Sequence, residues 1–118
     1  MNKNPIIESI VKGIQEKKGK NIRVADLTQI DEAICSYIVI CEGNSPNQVS
    51  AISDEVEAEV KKSLGVSPLH VVGQNNCIWV AMDYADVMVH VFLPEAREFY
   101  DIDNLWEDAI TNDIPNLD

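Results

Sequence analysis

The segment CIWVAMDYADVMVHVF, Cys77–Phe92, sets two apolar runs on either side of the polar knot Asp83-Tyr84-Ala85-Asp86, and the second run carries His90 at its middle. Read as a hairpin with Tyr84 and Ala85 as its central turn residues, it pairs Asp83 with Asp86, Ala81 with Met88, Trp79 with His90 and Cys77 with Phe92. Strand side chains alternate between two faces. One face then holds Ile78, Val80, Met82, Val87, Val89, Val91 and Leu93, which is wholly aliphatic and is expected to meet helices. The other holds Cys77, Trp79, Ala81, Asp83, Asp86, Met88, His90 and Phe92. Aromatic anchors with polar groups around them are the make-up of a recognition surface. Two plainer readings stand beside it. The C-terminal helix can cover Trp79 and Phe92 with His90 satisfied inside, and Asp83 and Asp86 can serve the turn, because aspartate bonds its own backbone there.

The rest of the chain supplies partners for the aliphatic face. Ile6, Ile7, Ile10, Val11 and Ile14 fall on one helical stripe, with Asn4 as cap, Pro5 at the first position and Gly19 at the end. NIRVADL and SYIVICEG read as strands, the second more buried. Ser45-Pro46-Asn47-Gln48 is a capping box, and the helix that it opens carries Val49, Ile52, Val56, Val60 and Leu64 on one side before Gly65. LHVVG is a short strand and QNN a turn; Pro94 stops the strand 87–93, and EAREFYDIDNLWEDAI reads as helical, in two pieces if Asp103 caps the second. The predicted fold class is mixed α+β: a single mixed sheet of about five strands flanked by helices. Residues 1–110 are expected to form one domain and 111–118 a flexible C-terminal tail.

Twenty Asp and Glu against nine Lys and Arg give the 118-residue chain a net charge of −11. Such a surface repels free nucleic acid and anionic membranes, whose recognition rests on Lys and Arg, and favours a basic protein partner; solubility alone is the plainer reading of the same acidity. The three cysteines, Cys35, Cys41 and Cys77, include no closely spaced pair and read as reduced thiols. No signal-peptide core opens the sequence and no run reaches the roughly 18 apolar residues of a membrane span, so a cytoplasmic protein is expected.

Catalysis finds little support in these residues. Asp83 and Asp86 can be imagined as paired carboxylates on a metal, but phosphoryl transfer also needs a phosphate cradle and a cationic clamp. Glu42 lies beside the sole glycine of the candidate loop EGNSP and opposes phosphate. His70, His90 and Cys77 lack the close ligand pair of a zinc site. No cofactor and no metal is expected.

WVAMDYADVMVHVF followed by REFYDIDNLW, with YIVICEGNSPNQVSAISDEV and RVADLTQI before them, resembles the ribosomal silencing factors, the Iojap-related family, over residues 6–110. The resemblance implies a nucleotidyltransferase-like fold without that activity. It implies a translational repressor that binds the large ribosomal subunit through its fourteenth large-subunit protein, blocks joining of the small subunit when nutrients are short, and often forms a homodimer. A nucleotidyl- or phosphoryl-transfer enzyme on the same fold is the alternative. Matching positions are Trp79, Asp83, Tyr84, Asp86, His90 and Phe92 in the hairpin, and Arg97, Tyr100, Leu105 and Trp106 after it. Trp79 and Tyr84 are expected as apolar anchors, with Asp83 and Asp86 meeting Lys or Arg. The chain departs from the family's Asp-Tyr-Gly-Asp turn at Ala85, and has Cys35-Ser36 where Thr-Asp is common.

Overall fold

Asn4 opens the chain's first helix by accepting the Ile6 N–H on its side chain at 3.1 Å, and the computed structural model describes residues 4–106 and 108–117. In order these form α1 (Pro5–Glu16), β1 (Lys20–Asp26), β2 (Tyr37–Glu42), α2 (Pro46–Leu64), β3 (His70–Val72), β4 (Trp79–Asp83), β5 (Val87–Phe92), α3 (Pro94–Tyr100), a 3-10 helix (Ile102–Trp106) and β6 (Ile110–Ile114). The strands make a single mixed sheet in the order β3-β4-β5-β2-β1-β6. Only β2 and β5 run parallel, and α2 lies on the long connection that such a pair needs.

The two long helices pack on one side of this sheet. Ile7, Ile10 and Ile14 of α1 and Val49, Ile52, Val56 and Val60 of α2 form one buried cluster with Ile22, Val24, Val39 and Cys41 of β1 and β2 and with Val80, Met82, Val87, Val89 and Val91 of the hairpin. The aliphatic face of the hairpin therefore does what its pattern predicts. The helices approach each other closely at Gly13, where a methyl group would sit 2.9 Å from Val56 Cα. The helix caps follow the sequence with small changes. Ser45 Oγ accepts the Gln48 N–H at 3.1 Å, but the Gln48 side chain reaches Asn44 N–H instead of Ser45. Lys18, at φ 60, and not Gly19, takes the left-handed conformation after α1. Leu64 at the end of α2 is exposed.

The other side of the sheet has lighter cover. Here α3, the 3-10 helix and the loop after β1 pack Leu27, Ala25, Ile38, Ile40, Phe92, Ala96 and Ile102 into a smaller cluster. The C-terminal residues also differ from expectation. Residues 111–114, placed in a flexible tail by the sequence, complete β6 as a sixth strand on β1, from Ile22↔Ile114 to Asp26↔Ile110. Thr111, Asn112 and Asp113 are exposed and carry no apolar alternation, so this strand is specified by backbone pairing, not by burial.

The hairpin register is shifted by two residues. Trp79 pairs with Phe92, Ala81 with His90 and Asp83 with Met88. A two-residue turn at Tyr84-Ala85 would demand positive φ at both positions; the actual loop needs it only at Ala85, φ 70. Asp86 N–H donates to the Tyr84 carbonyl and Tyr84 N–H to that of Val87, both at 2.9 Å, and the Asp83 carboxylate accepts the Ala85 N–H at 2.8 Å. A slip of two preserves the parity of every side chain, whereas a slip of one exchanges the faces. Cys77 and Ile78, ahead of β4, do leave their predicted sides: Cys77, at φ 55, packs into the helix-side core and Ile78 is exposed.

Gly13→Ala should cost about 1–3 kcal/mol, because the methyl meets helix backbone and not a side chain that can move. Ala85→Gly should add about 0.5–1 kcal/mol by removing the left-handed strain of a residue with a Cβ. Urea denaturation of both variants checks magnitude and sign.

Candidate functional site

The side of the sheet facing away from α1 and α2 is laid out by the strand registers. One row runs Val72, Ala81, His90, Ile40, Arg23, Asp113; the next runs His70, Asp83, Met88, Ile38, Ala25, Thr111; Trp79 and Phe92 lie beyond the first row. The 3-10 helix, α3 and the 27–36 loop pack over the β2–β1 half of these rows, where Ile38, Ile40 and Ala25 are buried. Over β3, β4 and β5 the cover stops. Ala81, Asp83, Met88, His90 and Trp79 are half-buried, and His70 and Val72 are exposed.

Trp79 and His90 lie on this face and are joined. The indole N–H of Trp79 donates to His90 Nδ1 at 2.9 Å across a diagonal of the β4–β5 pair. His90 is thereby held as the Nε2–H tautomer, and burial pushes its pKa down to about 4. Trp79 stacks on Phe92 at 4.9 Å between ring centroids and lies 4.7 Å from Tyr100, which in turn meets Phe99 edge-on at 5.0 Å. Trp79 is anchored from below by Gly73. At φ 90, Gly73 comes so near the Trp79 carbonyl that no side chain fits between them.

The other residues singled out in the sequence divide between surface and interior. Asp83 and Asp86 stand at the hairpin turn, where Asp83 caps Ala85 N–H and the Asp86 carbonyl accepts Ser36 and Tyr37 N–H. Asp86 is exposed and Asp83 half-buried. Tyr100 is half-exposed and Leu105 exposed, while Trp106 packs against the smaller cluster. Phe92 is completely buried and contributes support, not contact. Tyr84, expected as an exposed anchor, is only 6% exposed and belongs to the helix-side core. Its parity as a β4 extension places it with Met82, not with Trp79. Burial, with Glu57 nearby, raises its phenol to about 12.

Arg97 is likewise an internal residue. Its guanidinium bonds both oxygens of Asp103 at 3.1 and 3.0 Å, the Asn21 carbonyl at 2.6 Å and Glu42 at 3.1 Å. Asp103 is shared with Arg23, which forks onto Asp113 of β6 at 2.6 and 3.1 Å. Burial works to raise the Asp103 carboxyl, yet the two guanidinia hold it below the usual carboxylate range. These five side chains tie α3, the 3-10 helix, β1, β2 and β6 together.

Phe99 was missed in the sequence, although among the described residues it is the most exposed large apolar side chain, at 80%. Its spacing points the other way: in the seven-residue helix PEAREFY, Ala96, Phe99 and Tyr100 stand at i, i+3 and i+4, the pattern of one buried stripe, yet Ala96 alone of the three is buried. Carboxylates prevail around the uncovered half of this face: Asp86, Glu95, Glu98 and Asp101 are exposed there, while Arg97 and Arg23, the cations on this side among the described residues, are both held in ion pairs. Lys12, Lys17, Lys61 and Lys62 belong to the opposite layer or its margin, and Lys20 bonds the Leu117 carbonyl. Among the described residues, no three His, Cys, Asp or Glu side chains converge to hold a metal ion, and no helix is long and apolar enough to cross a membrane.

Residues 1–118 match the family model described as ribosomal silencing factor during starvation. The chain is 32% identical over 114 residues to the ribosomal silencing factor RsfS of Bacillus subtilis, covering 97% of this chain and 95% of that protein. It is 31% identical over 117 residues to the RsfS of Halalkalibacterium halodurans, covering 99% and 98% respectively. A crystal structure of a Chromobacterium violaceum protein superposes with a TM-score of 0.82 at 31% identity, over 90% of this chain and 87% of that one.

Neutral His90 is required by the Trp79 bond, so acid should loosen this face first. The unfolded chain, with imidazole near 6.5, takes up the proton before the folded one does. Stability is then complete above pH ~6.5 and falls by roughly 2–3 kcal/mol as pH drops toward 4. Urea denaturation between pH 7 and 4.5 should show that slope, and His90→Gln, whose amide oxygen can still accept the indole N–H, should flatten it.

Proposed function

This chain belongs to the ribosomal silencing factor family, and from that premise we propose that it represses translation by docking on the large ribosomal subunit and obstructing the small one. The partner on that subunit is its fourteenth large-subunit protein, the assignment carried by the family resemblance. The protein acts as a non-catalytic steric block in the cytoplasm when nutrients are short.

The single observation that carries this reading is the uncovered half of the sheet over β3–β5. A mixed aromatic face, half-buried by its own chain, is continuous with exposed Tyr100 and Phe99 and is edged by Asp83, Asp86, Glu95 and Glu98. Among the described residues the cations on this side of the sheet, Arg97 and Arg23, are already engaged within the fold. A basic protein surface complements such a field, and opposite potentials accelerate encounter and fix orientation. Phosphate is repelled by the same carboxylates, which argues against bare RNA as the principal contact.

Joining of isolated subunits followed by light scattering tests the reading. The purified chain should lower both rate and amplitude in proportion to its binding of the large subunit; unaltered joining at saturating concentration refutes it. Asp86→Lys combined with Glu98→Lys changes two exposed rim residues and should reduce the association rate by about tenfold at low salt, with the difference from wild type shrinking as ionic strength rises.

A further inference from the structure

We propose that Phe99 is the central anchor of the docking face, entering an apolar pocket bordered by Lys or Arg on a basic protein surface. This rests on the docking reading above and names the residue and the partner feature on which that reading turns. Nothing in the hairpin motif points to Phe99; its placement does.

An aromatic ladder leads from the core to this side chain. Phe92 is fully buried, Trp79 half-buried upon it, Tyr100 49% exposed against Trp79, and Phe99 80% exposed against Tyr100. Each ring rests on the one before it, and the outermost, meeting the edge of Tyr100, projects furthest from the face. The helix beneath it is equally constrained. Pro94 stands at its first turn, Ala96 is buried, and Asp101 closes it in the left-handed conformation, φ 51, with its N–H on the Arg97 carbonyl at 2.9 Å. Arg97, one turn from the exposed pair, is bound on every guanidinium nitrogen to Asp103, Glu42 or Asn21.

A phenylalanine on a fixed helix has only two side-chain torsions to immobilise on binding, and an aromatic anchor entering a desolvated pocket is where interface energy concentrates. The surroundings choose the partner. Glu95, Glu98 and Asp101 are exposed on or beside the same short helix, which has no available cation. An apolar pocket lined by Lys and Arg meets both the ring and its border. A nucleic-acid base offers the ring a stacking surface, but brings phosphates to three carboxylates.

Labelled full-length chain is titrated with isolated large subunits, and binding is read by fluorescence anisotropy. Phe99→Ala should weaken binding by about 30-fold or more, the hot-spot range, with its thermal midpoint unchanged because the side chain packs on little. Phe99→Leu should retain binding within about tenfold of wild type, since it keeps most of the apolar volume. Wild-type affinity in Phe99→Ala overturns the anchor while leaving the docking reading in place; a wild-type chain that does not bind brings down both. Replacing Phe99 with the photoreactive p-benzoylphenylalanine gives the second readout. An adduct with a basic large-subunit protein is expected, whereas an adduct with ribosomal RNA, with a second copy of this chain, or none at all overturns the proposal.

Discussion

Period-two alternation in β4 and β5, combined with helices on one side alone, governs this molecule. Val80, Met82, Val87, Val89 and Val91 must be sealed from water, and α1 and α2 together provide the area to do so. Burying such side chains contributes roughly 1.5–3 kcal/mol each, so this layer is the main stabilising element. The intervening positions are turned to the opposite side by the same geometry. Only a seven-residue helix, a single 3-10 turn and a loop remain to cover them. A half-open face is therefore a consequence of how the chain spends its helices, before any partner is considered.

The smaller layer acquires order by a different means. It lacks a long amphipathic helix, and its fixing elements are ion pairs: Glu42, Arg97, Asp103, Arg23 and Asp113 link five segments in sequence. Burying charge is costly unless the hydrogen bonds are complete, and here the Arg97 guanidinium is bonded at all three nitrogens. The network is best understood as specifying position. Rotating α3 or sliding the 3-10 helix would leave a mostly buried Arg97 without its carboxylates. Position is what a docking surface requires, and the Trp79–Tyr100 contact depends on α3 lying where Arg97 places it.

The helix-side core was legible because its signals are periodic and local: isoleucines at helical spacing in α1, a capped apolar stripe in α2 and alternating aliphatics in the hairpin. The grouping of Trp79 with His90 was legible as well, since the slip of two in register left parity untouched. What escaped notice depends on long-range partners. Arg97 reads as an ordinary surface cation until Asp103, Glu42 and the Asn21 carbonyl converge on it. Tyr84 reads as the tip of a turn, and its burial becomes visible only when the loop turns through Ala85 and carries the ring to the helix side. Residues 110–114 have no apolar alternation, because the pairing edge offered by β1 replaces it. Phe99 passed unnoticed because a helix of seven residues is too short for its apolar stripe to be judged by periodicity.

Charge separation gives the geometry a direction. Net charge alone predicts a preference for basic partners but says nothing of orientation, since a uniform −11 would attract a cationic surface to any side. The distribution is not uniform: lysines of α1 and α2 offset carboxylates within the helical layer, as in the 3.1 Å pair between Lys12 and largely buried Glu59, whereas the half of the chain after Lys62 has one cation and that one is internal. The uncovered aromatic side is thus bordered by carboxylates, with Arg97 and Arg23 on that side already held in ion pairs. An approaching basic surface is turned toward that side before any apolar contact forms, and steering of this kind fades as salt shortens the screening length to about 10 Å or less. Alternation exposes the aromatics, the ion-pair network positions them, and the asymmetric field presents them. Each is a separate property of the sequence, and the proposed docking role rests on their coincidence on a single face more than on any one residue.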